Sequence, residues 1–383
     1  MTTSQPEAPA HASPHVTIIG GGISGLATAW YLEREAERAG VRLTYTLLEA
    51  TPRFGGKVLS ERVDGFGDGS FILEGGADAF LTRKPWALAL ARELGLGEQL
   101  HYTNQEHSRT YVLRHGKPVP LPDGLRLLAP TKLLPFLRSP LFTPWGKARI
   151  GLDLLIPPRQ SEADESLAAF VRRRFGAEAL DRVAEPMMAG VFNADAERQS
   201  LQATFPQFGV MEREHGSVIR GQRAAERSAT PATTPAFFSF PGGTQTLADT
   251  LTAHLTGDLR AATQATQLSR REAGYAVTLD SREIINTDAV ILASPASVAG
   301  ALLREVAPEA ALLLGSIRYH GIGALYLGYR AGDVPHPLDG YGVVIPTSEG
   351  RQIDGMTWSS TKWTGRAPSG YALLRVFFGG PAT

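Results

Sequence analysis

Apolar positions along this chain change period several times. Val16-Thr17-Ile18-Ile19 is a short continuous apolar run, as expected of a strand buried on both faces of a parallel sheet. From Ile23 to about Ala39 the residues Ile23, Leu26, Ala27, Trp30 and Tyr31 recur at helical spacing, and Gly40 follows as a stop. Leu43 to Leu48 is a second strand-like run, so the first fifty residues predict a right-handed βαβ unit. The stretch Glu61 to Asp78 shows no such period, and Asp64-Gly65, Asp68-Gly69 and Gly75-Gly76 mark it as turn-rich.

From Pro85 to Phe208 the pattern is mainly helical. Leu88 to Leu96 is one helix, Pro130 to Leu137 starts another, and Glu165–Phe175 with Ala177–Met188 reads as an antiparallel pair. Ile156–Asp164 and Gly221–Pro235 have loop composition, the second that of a disordered segment. Beyond Phe237 strand signals return. Phe237–Phe240 runs into the turn Pro241-Gly242-Gly243, and a helix follows from Leu247 to about Leu255. Tyr275–Leu279 and Ala289–Leu292 are strands, the latter parallel-sheet-like with Ser294-Pro295 at its exit. Ile322–Tyr329, Gly342–Ile345, Met356–Ser359 and Leu373–Phe378 predict a mixed or antiparallel sheet. No internal repeat is present.

Composition narrows the function classes. Lys plus Arg and Asp plus Glu both number 38, so no overall field favours nucleic acid or an anionic membrane. No apolar stretch approaches the length of a spanning helix, so the chain is not expected to be an integral membrane protein. Cysteine is absent, which removes disulfides and thiolate metal sites and fits a cytoplasmic setting. The nine His show no metal spacing, no metal is expected, and no nucleophile constellation stands out. Residues 1–14 lack both a basic n-region and an apolar h-region and read as a disordered tail.

The chemistry begins in the first turn of the βαβ unit. Gly20, Gly22 and Gly25 follow a strand and open a helix, and Glu49 ends the second strand, which together form a dinucleotide-binding pattern. Gly20 permits the tight turn, Gly22 lets backbone approach a pyrophosphate, and Gly25 lets the helix pack close to the strand. Glu49 is placed to accept hydrogen bonds from the ribose hydroxyls. Then Arg53-x-Gly55-Gly56-Lys57 adds a guanidinium suited to a diphosphate and two glycines along which a cofactor arm can lie flush. A cofactor that leaves after each turnover has less use for this second clamp.

The block Val16–Lys57 resembles the FAD-dependent amine-oxidase and protoporphyrinogen-oxidase superfamily. Within it, Leu73-Glu74-Gly75-Gly76-Ala77-Asp78-Ala79-Phe80-Leu81-Thr82-Arg83-Lys84, Glu185-Pro186-Met187-Met188-Ala189-Gly190-Val191-Phe192, Phe205-Pro206-Gln207-Phe208, Pro241-Gly242-Gly243-Thr244-Gln245 and Trp358-Ser359-Ser360-Thr361-Lys362-Trp363 resemble the bacterial porphyrinogen oxidases. The resemblance runs in order over nearly the whole chain.

It implies an α/β fold with a discontinuous Rossmann-like FAD-binding domain, a mixed β-sheet substrate domain and a helical insertion. The boundaries expected are 15–84 and 241–300 for the FAD domain, 85–208 for an insertion on the membrane or substrate side, 209–240 with a loop at 221–236, and 301–383 for the substrate sheet. It places FAD against Gly20, Gly21, Gly22, Ile23, Ser24 and Gly25 at the pyrophosphate and Glu49 with Ala50 at the ribose. Arg53, Gly55, Gly56 and Lys57 follow along the diphosphate and ribityl arm, Gly76, Ala77, Asp78 and Ala79 near the flavin ring, and Ala265 at the adenine.

Arg83 and Lys84 become candidate partners for substrate propionates, and Val191 a wall of the substrate slot. Arg172-Arg173-Arg174 reads as a solvated helix face, and Trp358 and Trp363 as sheet packing. The implied reaction is oxidation of coproporphyrinogen III or protoporphyrinogen IX with O2 as acceptor, in haem synthesis, with no catalytic acid or base assigned. Peripheral membrane contact and a homodimer stay open. The resemblance also implies a late Gly-rich segment beyond the position of Thr383, facing the flavin. The rival readings are another flavin amine oxidase or desaturase, or a non-catalytic FAD- or porphyrin-binding protein. The absence of cysteine excludes flavin disulfide reductases and thioether-linked flavins.

Overall fold

The structure, a computed structural model, describes residues 13–126, 128–189, 193–228 and 234–379. The expected tail is thus outside the described residues except for Ser13 and Pro14, and so is Val191. The chain divides into two compact units. One comprises Met1–Arg62, Ile72–Leu100 and Ser239–Tyr319; the other comprises Val63–Phe71, His101–Phe238 and His320–Thr383.

The first unit is built on the predicted βαβ unit. Strand β1 (His15–Ile19), helix α1 (Ile23–Ala39) and strand β2 (Thr44–Leu48) appear as expected. Gly40 ends α1 in the left-handed conformation (φ 65°), its N–H bonding back to Glu37 O. The buried stripe of α1 is Gly25, Leu26, Ala29 and Trp30; Tyr31, expected on it, is exposed. β1 and β2 are the inner strands of a four-stranded parallel sheet in the order Asp258–Arg260, β2, β1, Ala289–Leu292. The sheet therefore joins strands from both ends of the sequence. Its short partner Asp258–Arg260 carried two charges and left no apolar signal. A three-stranded antiparallel meander, Ala265–Arg270, Tyr275–Leu279 and Ile284–Thr287, completes the unit. Its Ala265, Leu268, Val277 and Leu279 pack with Ile19 and Leu48 from the ends of β1 and β2.

The second unit holds a six-stranded mixed sheet in the order Ile322–Arg330, Tyr371–Gly379, Gly355–Trp358, Gly340–Val344, Arg109–Arg114, Lys117–Pro120. All neighbours are antiparallel except Gly340–Val344 with Arg109–Arg114. Its helices Leu167–Arg174, Pro206–His215 and Val218–Ser228 share an apolar core with a ten-residue π-helix, Leu180–Ala189, that contains Pro186. Trp358 and Trp363 are buried in this unit, as expected of packing residues.

Four further expectations change. Residues 85–208 are not wholly helical, because Arg109–Arg114 and Lys117–Pro120 form a hairpin that joins the mixed sheet. Glu61–Asp78 is largely a hairpin as well, with strands β3 (Ser60–Phe66) and β4 (Gly69–Glu74), so Asp64-Gly65 lies within a strand. The loop assigned to 221–236 is helical through Ser228; its Ala, Arg, Gln and Glu residues are good helix formers, and buried Val218 and Ile219 anchor it. Residues 229–233 of that loop lie outside the described residues.

Of the Arg triplet, only Arg172 lies on a solvated face, paired with exposed Glu197. Arg174 is fully buried against Asp153 at 2.5 Å, and Arg173 pairs with Glu165 and Glu212 at 2.7 and 2.6 Å. Asp153 also accepts from Ser217 Oγ and Ile219 N, so it caps the start of Val218–Ser228. Isolated buried charges are prohibitive, and the two groups are stable there only as a pair.

Candidate dinucleotide site

The turn after β1 is shaped by two glycines that nothing larger could replace. Gly20 has φ +114°, and a Cβ there would lie 2.8 Å from Ala293 C and O. A Cβ on Gly25 would lie 1.8 Å from Gly20 O, so α1 starts flush against the turn. Gly22 differs: it caps the helix, and a Cβ would meet only Gly56 Cα, at 3.8 Å. Space over Gly22 is open, as close approach of a diphosphate requires. No side chain caps α1, so its first-turn amides, those of Ile23, Ser24 and Gly25, provide the donors and partial positive charge that favour an anion.

The second glycine pair lies against the first. Gly55 N donates to Gly21 O at 2.8 Å, and Gly22 and Gly55 form a parallel bridge. Both Gly55 (φ +110°) and Gly56 (φ +58°) adopt conformations unsuited to other residues. Arg53 holds this turn from inside. Its Nη1 donates to Phe54 O, Val58 O and Gln245 Oε1 at 3.1, 3.0 and 3.2 Å, and its Nη2 to Gly56 O. The expectation of a guanidinium reaching for the diphosphate is corrected accordingly: Arg53 braces the turn that the cofactor arm would lie on. Lys57 is exposed, its ammonium 5.3 Å from the Tyr319 ring.

Glu49 is buried at the end of β2. Its Oε2 accepts from Gly21 N at 2.9 Å; its Oε1 accepts from Thr51 N and Thr51 Oγ1 at 2.8 and 2.7 Å. A carboxylate has about four acceptor positions, so one on Oε2 is left for a single ribose hydroxyl. Ala50 is exposed beside it. Thr263 N donates to Glu49 O at 2.8 Å, which brings the 263–266 run, including buried Ala265, to the same corner.

A dinucleotide fits these residues on independent counts. The cradle over Gly22 is one that a Cβ would begin to fill. Ser294 lies against Gly20, and its hydroxyl is buried with no hydrogen-bond partner among the described residues. The sequence marked Ser294 only as a strand exit. Thr51, Ser60, Glu74, Thr244 and Gln245 were likewise missed as parts of the site, because their contacts join positions up to 192 residues apart. The turn Gly76, Ala77, Asp78, Ala79 follows β4, with Thr244 Oγ1 3.0 Å from Ala77 O. Arg83 and Lys84 are exposed at the start of helix Pro85–Glu93, and neither makes an ion pair among the described residues.

The model of the family of flavin-containing amine oxidoreductases matches residues 23–383. The chain belongs to that family. It is 35% identical over 371 residues to a coproporphyrinogen III oxidase of Bacillus subtilis (strain 168), covering 95% of this chain and 77% of the relative. It is 28% identical over 399 residues to protoporphyrinogen oxidase 2, chloroplastic/mitochondrial, of Arabidopsis thaliana, covering 95% and 75%. A solved structure from Exiguobacterium sp. 255-15, provisionally named a protoporphyrinogen oxidase, superposes with a TM-score of 0.84 at 30% identity, covering 97% of this chain and 78% of that one. The cofactor is a flavin, and the site just described has the features of one for FAD. Among the described residues no helix is long and apolar enough to cross a membrane.

Proposed function

We propose that this chain oxidises a porphyrinogen, coproporphyrinogen III first among the candidates and protoporphyrinogen IX second, with O2 as the acceptor, in haem biosynthesis. The observation that carries the reading is the likeness to the coproporphyrinogen III oxidase over 95% of the chain, together with a glycine cradle that fits FAD. The overall change removes six hydrogens from the macrocycle while three O2 become three H2O2. FAD, when bound, would supply a two-electron acceptor that O2 can reoxidise. The protein's part is to hold and orient: the Ile23–Gly25 amides and Ser294 Oγ would donate to the diphosphate, Glu49 Oε2 would accept from a ribose hydroxyl, and Ala77 to Ala79 would line the approach to the ring. In this reading the first unit is the flavin domain and the second the substrate side. Arg83 and Lys84 pair with propionates.

The reading includes a cytoplasmic enzyme that touches an anionic membrane surface peripherally. Residues 124–152 of the second unit contain Arg126, Lys132, Arg138, Lys147 and Arg149 and no Asp or Glu. Leu133, Leu134 and Leu137 are exposed there, and Trp145 is 86% exposed. Cations beside exposed Leu and Trp are the composition of an interfacial segment. Sedimentation with vesicles containing phosphatidylglycerol, but not with pure phosphatidylcholine, is the expected result; equal recovery with both would remove this part.

The main test is direct. The purified chain should show flavin absorption bands, and porphyrin fluorescence should grow from coproporphyrinogen III in air with three H2O2 per porphyrin. Yellow protein without fluorescence growth from either substrate would replace the oxidase by a flavin-binding protein.

A further inference from the structure

Beyond the glycine cradle, the first unit contains a buried carboxylate that joins three turns. Glu74, the last residue of β4, is 2% exposed. Ser60 Oγ donates to its Oε2 at 2.6 Å, and Thr244 N to its Oε1 at 3.0 Å. Thr244 Oγ1 stands 2.9 Å from Oε2 and 3.0 Å from Ala77 O, so its one hydrogen is shared between the carboxylate and the turn beyond it. Ser60 Oγ in turn accepts from Gln245 N at 3.1 Å. The Gln245 side chain accepts from Arg53 Nη1 and donates to Phe54 O at 3.3 Å.

Three glycines make the approach possible. A Cβ on Gly76 would lie 1.7 Å from Lys57 O, and one on Gly243 would lie 2.1 Å from Ser60 Oγ and 3.0 Å from Glu74 Oε1. A Cβ on Gly75 would lie 2.8 Å from the Leu59 side chain. The turns 53–60, 75–79 and 242–245 are therefore in direct contact, and Glu74 is the group that all three share. Because Gly55 N also bonds to Gly21 O, and Gly21 N to Glu49, the hydrogen-bonded path continues to the ribose end of the cradle.

We infer that Glu74 is a positioning residue for the flavin. Buried behind these turns, it fixes the turn Gly76–Ala79 relative to the Gly55-Gly56 turn, so that both ends of one extended dinucleotide would meet a pre-formed surface. This inference rests on the FAD reading of the site. Most of these donors are hydroxyls or backbone amides on short tethers, which suits a hub that must not move.

The test is FAD binding to the apoprotein, read by flavin fluorescence quenching, with far-UV circular dichroism to confirm the fold. Glu74→Gln keeps the shape but removes the charge, and should raise the Kd for FAD roughly tenfold to a hundredfold, the range that loss of a group orienting a ligand costs at metal sites. It should also alter the visible circular dichroism of the bound flavin, which a loss of global stability would not. Ser60→Ala and Thr244→Val, both milder, should each weaken FAD, and the double variant should lose less than the product of the two because they share one carboxylate. If all of these folded variants bind FAD within twofold of the wild type, with unaltered flavin dichroism, Glu74 is a structural residue only. A wild-type chain that takes up no FAD would overturn the functional reading as well, so the two failures are distinguishable.

Discussion

Gly22 and Gly25 stand three residues apart in one motif, yet adding the same methyl group to each should have different consequences. At Gly25 the new Cβ would lie 1.8 Å from Gly20 O, whereas ordinary contact begins near 3.4 Å, so α1 and the turn must part by about 1.6 Å. The obstacle is a backbone carbonyl and cannot rotate aside. Overpacking of this kind costs about 1–3 kcal/mol of stability. The same displacement would carry the Ile23–Gly25 amides beyond hydrogen-bonding distance of a diphosphate placed for the native turn. Loss of two charge-assisted bonds, at about 1.5–3 kcal/mol each, weakens FAD binding by roughly two to four orders of magnitude. At Gly22 the methyl meets only Gly56 Cα at 3.8 Å, so Gly22→Ala should cost no more than the roughly 0.5–1 kcal/mol by which an N-cap prefers Gly to Ala. It should still weaken FAD, because the methyl occupies the space into which the diphosphate descends. Urea denaturation of the two apoproteins, paired with FAD titrations, separates the cases. Gly22→Ala binding FAD as the wild type does, or Gly25→Ala being as stable and as avid as wild type, would refute the placement of the diphosphate over this turn.

The buried pair in the second unit offers a stability prediction. Arg174→Met leaves Asp153 buried and uncompensated, which should destabilise by about 3–5 kcal/mol; adding Asp153→Asn should recover part of the loss, and simple additivity in thermal melts would contradict the coupling. Lys84→Glu should raise KM for coproporphyrinogen III, with its four propionates, more than for a dipropionate substrate, and equal changes would remove Lys84 from the substrate path. Burial pushes the Glu212 carboxyl up, but bonds from Arg173 and Arg159 N and the charges of Arg173 and Arg174 outweigh it, so its pKa lies below the ordinary glutamate range. A depressed carboxylate contributes stability that is complete above its unfolded pKa and is lost as pH falls through the folded one. The melting temperature should therefore fall below about pH 4.5, with a smaller fall in Glu212→Gln; identical profiles for the two proteins would exclude Glu212 as a source of the acid sensitivity.

The parts of this molecule that were legible in its sequence are those specified locally. The period of α1, the apolar runs of β1 and β2 and the spacing of Gly20, Gly22 and Gly25 each depend on neighbours a few residues away. Ala289–Leu292 was readable too, since a strand covered on both faces is apolar throughout. What escaped depends on distant partners. Arg53 looks like a phosphate ligand until Val58 O and Gln245 are seen to face it. Arg174 looks solvated because nothing in its helix announces Asp153. Glu74 was visible as a letter in a motif, but its role depends on Ser60 and Thr244, which lie 14 and 170 positions away. Helix Val218–Ser228 failed for another reason: charged and alanine-rich composition suits a solvated helix as well as a loop, and only the burial of Val218 and Ile219 decides between them.

The pairing of β1 with Ala289–Leu292 has a consequence during synthesis. His15 and Asp288, at one end of that pairing, are 273 residues apart. At about 5–20 residues per second, a ribosome needs roughly 14 to 55 s to travel between them. Over that interval β2 can cover one edge of β1 while the other edge, with Val16 and Ile18, stays open to any strand that meets it. The nascent chain is thus most prone to aggregation between emergence of the first glycine turn and arrival of the late strand. Yield of folded protein should accordingly respond more to slower initiation, or to a chaperone that shields the early segment, than to substitutions on the finished surface.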